Sequence, residues 1–226
     1  MGTQRALIVG GGLGGLAAAI ELGRRGLEVM VLERAPKVGG KMREVVIDGR
    51  GIDSGPTVLT MRGIFDELFE AAGERLDDHL TLDPMTVLAR HAWEEGGRLD
   101  LFADHERSAE AIGRFASAAD ARGYRRFCEH TRRIFEVVEG PFIASSRPTL
   151  GSLVAAVGWR GILGIADVDA HRTMWRALGA FFRDPRLRQL FGRYATYYGS
   201  SPFAAPATLN LIAHVEQRGV WTVRGG

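Results

Sequence analysis

Residues 10–15 have the types and spacing to bind a phosphate-containing cofactor. They contain the pattern G-x-G-x-x-G directly after the apolar run 6–9, which is the arrangement of a dinucleotide-binding turn. In such a turn Gly10 would allow a tight bend, Gly12 would let the backbone approach a pyrophosphate, and Gly15 would let a helix pack against a strand. The pyrophosphate would lie at the N-terminus of that helix, where unpaired N–H groups and the helix dipole attract anions.

Glu33 is placed to bind the ribose of the same cofactor. It stands at the end of an apolar run, about 20 residues after the glycine turn, where a carboxylate accepts hydrogen bonds from ribose hydroxyls. A negative charge at this point disfavours the 2′-phosphate of NADP. The residues themselves therefore favour FAD or NAD over NADP and leave the choice between the first two open.

These groups must be held by a strand, a turn, a helix and a second strand, in that order. The sequence predicts strands at residues 6–9 and 28–33, with a helix at 16–25 between them that ends at Gly26. Together these elements form a βαβ unit with two parallel strands.

The rest of the chain predicts two β-hairpins and then mainly helices. Residues 43–47 and 50–53 flank Asp48-Gly49, which suits a two-residue hairpin turn, and residues 86–93 and 98–102 form the second hairpin. Helical patterns are predicted at residues 63–72, 104–119, 121–139, 150–157, 171–182, 185–195 and 206–217. The predicted fold class is α/β, with a Rossmann-like segment followed by a mainly helical segment that includes a β-hairpin.

Two further segments resemble signatures of known flavoproteins. Residues 33–41 resemble the second signature of a large flavoprotein group that includes amine oxidases and carotenoid desaturases, with Lys41 where the group usually has arginine. Residues 53–58, followed by Met61 and the helix at 63–72, resemble the bacterial phytoene desaturase family. Within that family the chain is most similar to the branch of hydroxyneurosporene and methoxyneurosporene dehydrogenases.

The resemblance implies FAD as the cofactor. In the family, the glycine pair before Lys41 passes close to the flavin end of FAD, and the Gly-Pro-Thr segment lies along the isoalloxazine ring. Together with the glycine turn and the ribose site, it implies these cofactor-binding residues: Gly10, Gly12, Leu13, Gly14, Gly15, Glu33, Arg34, Gly40, Lys41, Gly55, Pro56, Thr57 and Val58.

The resemblance also implies a reaction and a domain organisation. The enzymes of this family introduce a C=C bond into an acyclic carotenoid by passing a hydride to flavin N5. Residues 1–83 would be part of an FAD/NAD(P)-binding domain with a Rossmann-like fold, and residues 84–226 part of a substrate-binding domain. Because a carotenoid dissolves in the bilayer, a cytoplasmic location with peripheral contact to the inner face of the cell membrane is expected. No residue is identified as a catalytic acid or base.

Three functions remain open from the sequence. The first is a carotenoid desaturase, the second is an FAD-dependent polyene isomerase or saturase, and the third is a non-catalytic remnant. Nothing in the chain resembles the C-terminal Gly-Asp segment that completes the cofactor site in the family. We therefore expect an N-terminal fragment that binds FAD weakly or not at all and is inactive by itself.

The composition of the chain argues against several other functions. The chain has 29 Lys and Arg against 27 Asp and Glu, so its net charge of +2 gives no support to nucleic-acid binding. Its single cysteine, Cys128, excludes an internal disulfide and is predicted to be a core residue, not a reactive thiol. No metal site is expected, because the six histidines do not have the sequence spacing of metal ligands. They are His79, His91, His105, His130, His171 and His214.

Residues 171–198 combine arginines with aromatic side chains and offer one possible membrane-contacting patch. The aromatic residues are Trp175, Phe181, Phe182 and Phe191, and the arginines include Arg183, Arg186 and Arg188. The alternative is a set of solvated helix faces above buried aromatic residues.

Overall fold

The computed structural model describes residues 4–143 and 168–225. The chain divides into two compact units, one formed by Met1–Met85 with Gly219–Gly226 and the other by Thr86–Arg218.

The first unit begins with the predicted βαβ arrangement, which the structure confirms. Strand β1 (Arg5–Val9) leads into helix α1 (Leu13–Arg24), and strand β2 (Glu28–Leu32) pairs parallel to β1. The predicted hairpin follows as β3 (Glu44–Ile47) and β4 (Arg50–Asp53).

Helices α2 (Arg62–Ala71) and α3 (Leu76–His79) belong to the same unit, together with a small antiparallel sheet that the sequence did not predict. In this sheet the central strand β9 (Val220–Val223) lies between β5 (Leu59–Thr60) and β6 (Leu82–Pro84). Assigning all of residues 84–226 to one domain therefore misplaced β9, which lies in the first unit. Strands of two to four residues are too short to show an alternating pattern, so their pairing could not be read from the sequence.

The second unit contains a hairpin and helices. Strands β7 (Val87–Ala92) and β8 (Arg98–Phe102) pair antiparallel, as predicted. The helices are α4 (His105–Phe115), α5 (Ala118–Val138), α6 (Met174–Leu178), α7 (Pro185–Gly192) and α8 (Leu211–Gln217). A π-helical turn at Glu139–Ile143 follows α5, and 3₁₀ turns at Arg193–Tyr198 and Ala207–Asn210 follow α7 and precede α8.

Side-chain caps explain where several of these helices begin. The Asp104 carboxylate accepts a hydrogen bond from the Arg107 backbone N–H at 2.9 Å, and the Ser117 hydroxyl accepts one from the Asp120 N–H at 3.1 Å. Such caps each stabilise a helix by about 1 kcal/mol. The predicted helix at 171–182 is shorter than expected, because Thr173 caps α6 and Gly179 follows its last residue. The predicted helix at 150–157 lies outside the described residues.

Three phenylalanines form the centre of the core of the second unit. They are Phe127 in α5, Phe182 between α6 and α7, and Phe191 in α7, and all three are almost completely buried. Their ring centroids lie 4.7–5.5 Å apart, a separation at which each aromatic pair adds about 0.5–1.5 kcal/mol beyond its buried area. In the described part of the chain, no helix has the length and apolar composition needed to cross a membrane.

Candidate functional site

The glycine turn joins β1 to α1 as the sequence predicted. Gly10 has a φ of 104°, a region that favours glycine, and a Cβ atom added to Gly15 would collide with the Gly10 carbonyl oxygen. Gly12 is the N-cap of α1, and no side chain caps the backbone N–H groups of its first turn. Because the first four N–H groups of a helix have no partner within the helix, this turn presents donors to an anion.

Glu33 follows β2 and binds the glycine turn directly. One carboxylate oxygen accepts the Gly11 N–H at 2.7 Å, and the other accepts the Ala35 N–H at 2.8 Å. These backbone hydrogen bonds from Ala35 and Gly11 lower the pKa of the Glu33 carboxyl, which stays ionised at neutral pH. Each carboxylate oxygen has a second lone pair, so Glu33 can hold the turn and also accept a ribose hydroxyl.

The glycine pair of the second segment lies against the turn. The Gly39 N–H donates to the Gly11 carbonyl oxygen at 2.8 Å, and Gly12 and Gly39 form an isolated parallel bridge. A Cβ on Gly40 would be 3.0 Å from Gly12 Cα. The two backbones approach so closely that a side chain at Gly40 would force them apart.

The third segment packs against the second. A Cβ on Gly55 would collide with the carbonyl oxygen of Lys41, and the Ser54 N–H donates to the Arg43 carbonyl oxygen at 2.7 Å. Pro56, Thr57 and Val58 then lead from this contact into β5. Three separate segments of the chain thus pack together, the second against the glycine turn at the N-terminus of α1 and the third against the second.

Not every predicted site residue makes a side-chain hydrogen bond in the described part of the chain. The side chains of Arg34 and Lys41 are exposed and make no hydrogen bond within residues 4–143 and 168–225, so their contacts with a cofactor stay predictions. Gly11, by contrast, was not among the predicted site residues, although its N–H and carbonyl oxygen connect Glu33 and Gly39. A Cβ on Gly11 would be 2.8 Å from Val38 Cγ1. The run of three consecutive glycines was the sequence signal for this role.

The arginine and aromatic residues of the predicted membrane patch do not all lie on one surface. Phe182 and Phe191 are buried in the core, and the Arg186 guanidinium binds the Asp184 carboxylate at 2.7 Å. The Arg188 Nε donates to the Phe182 carbonyl oxygen at 2.8 Å. These contacts favour the alternative of solvated helix faces above buried aromatic residues.

The described residues contain no group of three or more His, Cys, Asp or Glu side chains arranged to hold a metal ion. The only cysteine packs at the edge of the second unit's core, where the Gln217 side-chain amide donates to the Cys128 sulfur at 3.0 Å.

Cys128 is expected to react slowly with thiol reagents in the folded protein. Burial raises the pKa of the Cys128 thiol to about 11, well above that of an ordinary thiol. The smaller thiolate fraction, offset in part by greater intrinsic nucleophilicity, predicts alkylation by iodoacetamide about tenfold slower than in the urea-unfolded chain. Mass spectrometry of timed samples at pH 8 measures both rates, and equal rates would contradict the prediction.

Comparisons with known proteins identify relatives of the chain. The NAD(P)-binding Rossmann-like domain family matches residues 8–74. Hydroxyneurosporene desaturase of Rubrivivax gelatinosus is 51% identical over 225 residues, covering 99% of this chain and 43% of that protein. The 4,4′-diapolycopene oxygenase of a Methylomonas species is 32% identical, covering 99% of this chain and 45% of that protein.

A likeness to a solved structure supports the fold. A putrescine oxidase mutant from a redesign of cofactor binding superposes with a TM-score of 0.61 at 18% identity, covering 100% of this chain and 47% of that chain. The Rossmann-like α/β fold predicted from the sequence is confirmed. The chain spans less than half the length of the curated relatives. Along nearly its whole length, this chain is a homologue of the hydroxyneurosporene desaturases, as the sequence segments had predicted.

Proposed function

We propose that this chain supplies the FAD-binding turn of an oxidoreductase that introduces a C=C bond into an acyclic carotenoid. The observation that carries the proposal is the convergence of the glycine turn, Glu33, the Gly39-Gly40 pair and Gly55 on one backbone surface. The homologous desaturases and the oxygenase are named for carotenoid substrates, and this supports the substrate class.

The residues of the first unit fit FAD in a defined order. The uncapped N–H groups at the start of α1 would bind the diphosphate, and Glu33 would accept a hydrogen bond from the adenosine ribose. The backbone at Gly40 and Lys41 and the segment from Gly55 to Val58 would approach the flavin end. Bound FAD would supply the chemistry by accepting a hydride at N5. The chain's own residues bind and orient the cofactor, and no side chain is assigned as an acid or base.

The apolar face of the parallel pair bears on how tightly this chain binds FAD. Leu7 is 62% exposed, Val9 82% and Met30 60%, whereas parallel sheets are normally covered on both faces. We propose that the chain by itself binds FAD weakly, because an uncovered sheet does not hold the turn firmly. An absorbance spectrum of the purified chain tests this, and stoichiometric bound flavin would contradict it.

A carotenoid dissolves in the lipid bilayer, and this bears on location. We propose that the whole protein works at the cytoplasmic face of the membrane, in peripheral contact with it.

A chimera tests the proposed reaction. The chain would replace the homologous segment of the Rubrivivax gelatinosus desaturase, with which it is 51% identical, and the product would be assayed with hydroxyneurosporene. We expect flavin-dependent desaturation that consumes an electron acceptor. Conversion without acceptor consumption would favour the polyene isomerase instead. A folded chimera that binds no flavin and forms no product would contradict the proposal and favour a non-catalytic remnant.

A further inference from the structure

One face of α5 in the second unit carries a row of cationic side chains. Arg122, Arg126 and Arg133 recur at intervals of one and two helical turns and therefore lie on one side of the helix. The opposite side is the buried one, with Tyr124 and Phe127 in the core. Arginine in such positions normally binds a carboxylate or stays in solvent.

A cavity of about 240 Å³ lies at the N-terminal part of this face. Arg122 and Arg126 line it from α5, Arg183 lines it from the segment after α6, and Phe181 forms an apolar wall. A second cavity, of about 500 Å³, shares Arg126 and Phe181 with the first and continues towards Arg133.

The cations of the first cavity have no anionic partner in the described residues. Arg122, Arg126 and Arg183 form no ion pair there, and their guanidinium groups donate no hydrogen bond. Other arginines of the unit are paired, such as Arg125 with Glu106 at 2.6 Å and Arg132 with Glu129 at 2.7 Å. Three cations around one concave surface, with no carboxylate among the residues that line it, attract an anion.

A buried carboxylate near the cavity, that of Asp120, already accepts hydrogen bonds from other groups. Asp120 is 3% exposed, and its oxygens accept the backbone N–H of Arg183 at 2.6 Å and the hydroxyl of Ser117 at 2.6 Å. Asp120 thus fixes the backbone of the segment that carries Arg183. It makes no ion pair with the three guanidinium groups.

The cavity is held in shape by close packing. A Cβ on Gly123 would collide with the Phe181 carbonyl oxygen, so glycine is needed for the segment to lie this close to α5. The Phe127 and Phe181 rings pack edge to face with centroids 5.5 Å apart. The arginines therefore project from a fixed backbone on both sides of the cavity.

We infer that this cavity binds a phosphate group, with Arg122, Arg126 and Arg183 as its donors and Phe181 against the carbon atoms next to the phosphate. A guanidinium group matches the geometry of phosphate oxygens and forms paired, charge-assisted hydrogen bonds with them. The inference stands apart from the FAD site and does not rest on the proposed reaction. The phosphate group is that of a small soluble ester or of an anionic lipid headgroup, and the two sources share this chemistry.

Binding assays on the full 226-residue chain test the inference. The soluble probe is glycerol 3-phosphate, measured by calorimetric titration. The lipid probe is a phosphatidylcholine vesicle with or without phosphatidylglycerol, measured by co-flotation. The test variant combines Arg122→Gln, Arg126→Gln and Arg183→Gln. The control removes three charges from exposed arginines of the same unit that line neither cavity, by Arg90→Gln, Arg98→Gln and Arg114→Gln, with folding checked by circular dichroism.

We expect the test variant to bind its phosphate probe about a hundredfold more weakly than the wild type, since each arginine near an anionic group contributes about fivefold in affinity and the three factors multiply. The control should bind within about twofold of wild type, as expected for surface charges outside the site. Loss of glycerol 3-phosphate binding in the test variant alone identifies a soluble ester, and loss of phosphatidylglycerol-dependent flotation alone identifies a lipid. The inference is overturned if neither probe binds the wild type, or if the two triple variants weaken binding equally.

Discussion

Replacement of Glu216 by alanine is expected to lower the free energy of unfolding by about 3–5 kcal/mol, because it leaves the Arg193 guanidinium, whose side chain is only 25% exposed, without its partner. The Glu216 carboxylate accepts two hydrogen bonds from Arg193, at 2.6 and 2.9 Å, one from the Tyr194 hydroxyl at 3.0 Å and one from the Tyr197 hydroxyl at 3.1 Å. Glu216 is only 7% exposed. All four acceptor positions of the carboxylate are therefore used in a site with little water.

Urea unfolding followed by circular dichroism measures this effect. The matched control is Glu110→Ala, which removes an exposed carboxylate 3.7 Å from Arg114 and should cost at most about 1 kcal/mol. The double variant Arg193→Met with Glu216→Leu removes both charges, so we expect it to be more stable than Glu216→Ala alone. Equal losses for Glu216→Ala and Glu110→Ala would show that the buried network does not stabilise the second unit.

This network could not have been predicted from the sequence. Arg193 and Glu216 lie on different elements, and only the packing of the 3₁₀ turn after α7 against α8 brings them together. A charged residue in a helical pattern normally indicates a solvated face, so no local pattern predicted that Glu216 is buried.

The βαβ unit was predicted correctly because its signals are local. The apolar run of β1, the glycine turn and the helix end at Gly26 all lie within a short stretch of chain, and the two strands have no alternative partner in that stretch. The pairing of β9 with β5 and β6 joins residues that are far apart in sequence, such as Trp221 and Leu59. Local patterns contain no information on such pairs.

The cofactor segments were recognised one by one, but their mutual contacts were not. The sequence assigned Glu33 to ribose binding, and the structure adds that its carboxylate also holds the Gly11 N–H. The contact between Gly55 and the Lys41 carbonyl likewise depends on the path of the β3–β4 hairpin. Residue types thus indicated which segments could bind a cofactor, whereas the contacts between those segments became visible only in the folded chain.

Alanine substitutions at three glycines of the turn are expected to separate cofactor binding from folding. A Cβ on Gly15 would collide with the Gly10 carbonyl oxygen, so Gly15→Ala must open the turn, with a loss of about 1–3 kcal/mol in stability and of FAD binding. Gly12 has a φ of −76°, which alanine adopts readily, and its added Cβ would lie 3.8 Å from Gly40 Cα. Gly12→Ala should therefore fold normally.

Gly12→Ala should nevertheless weaken FAD binding by about tenfold to a hundredfold, because its Cβ would occupy the space that the diphosphate approaches and overpacking costs about 1–3 kcal/mol. Gly14→Ala is the matched control, since its Cβ meets no atom within 4 Å and its backbone N–H is unchanged. Urea unfolding of the chain gives the stabilities, and quenching of FAD fluorescence gives the affinities in the chain and in the desaturase chimera.

The three variants distinguish a cofactor turn from a glycine-rich bend with a purely structural role. A structural bend predicts that affinity for FAD, where it is measurable, follows stability, so that Gly12→Ala and Gly14→Ala behave alike. A diphosphate site predicts that Gly12→Ala loses affinity at unchanged stability, because the clash is with the ligand and not with the protein. The decisive measurement uses a chimera that binds FAD when its turn is unchanged. If Gly12→Ala and Gly14→Ala bind FAD equally tightly in that chimera, the diphosphate does not lie at this turn.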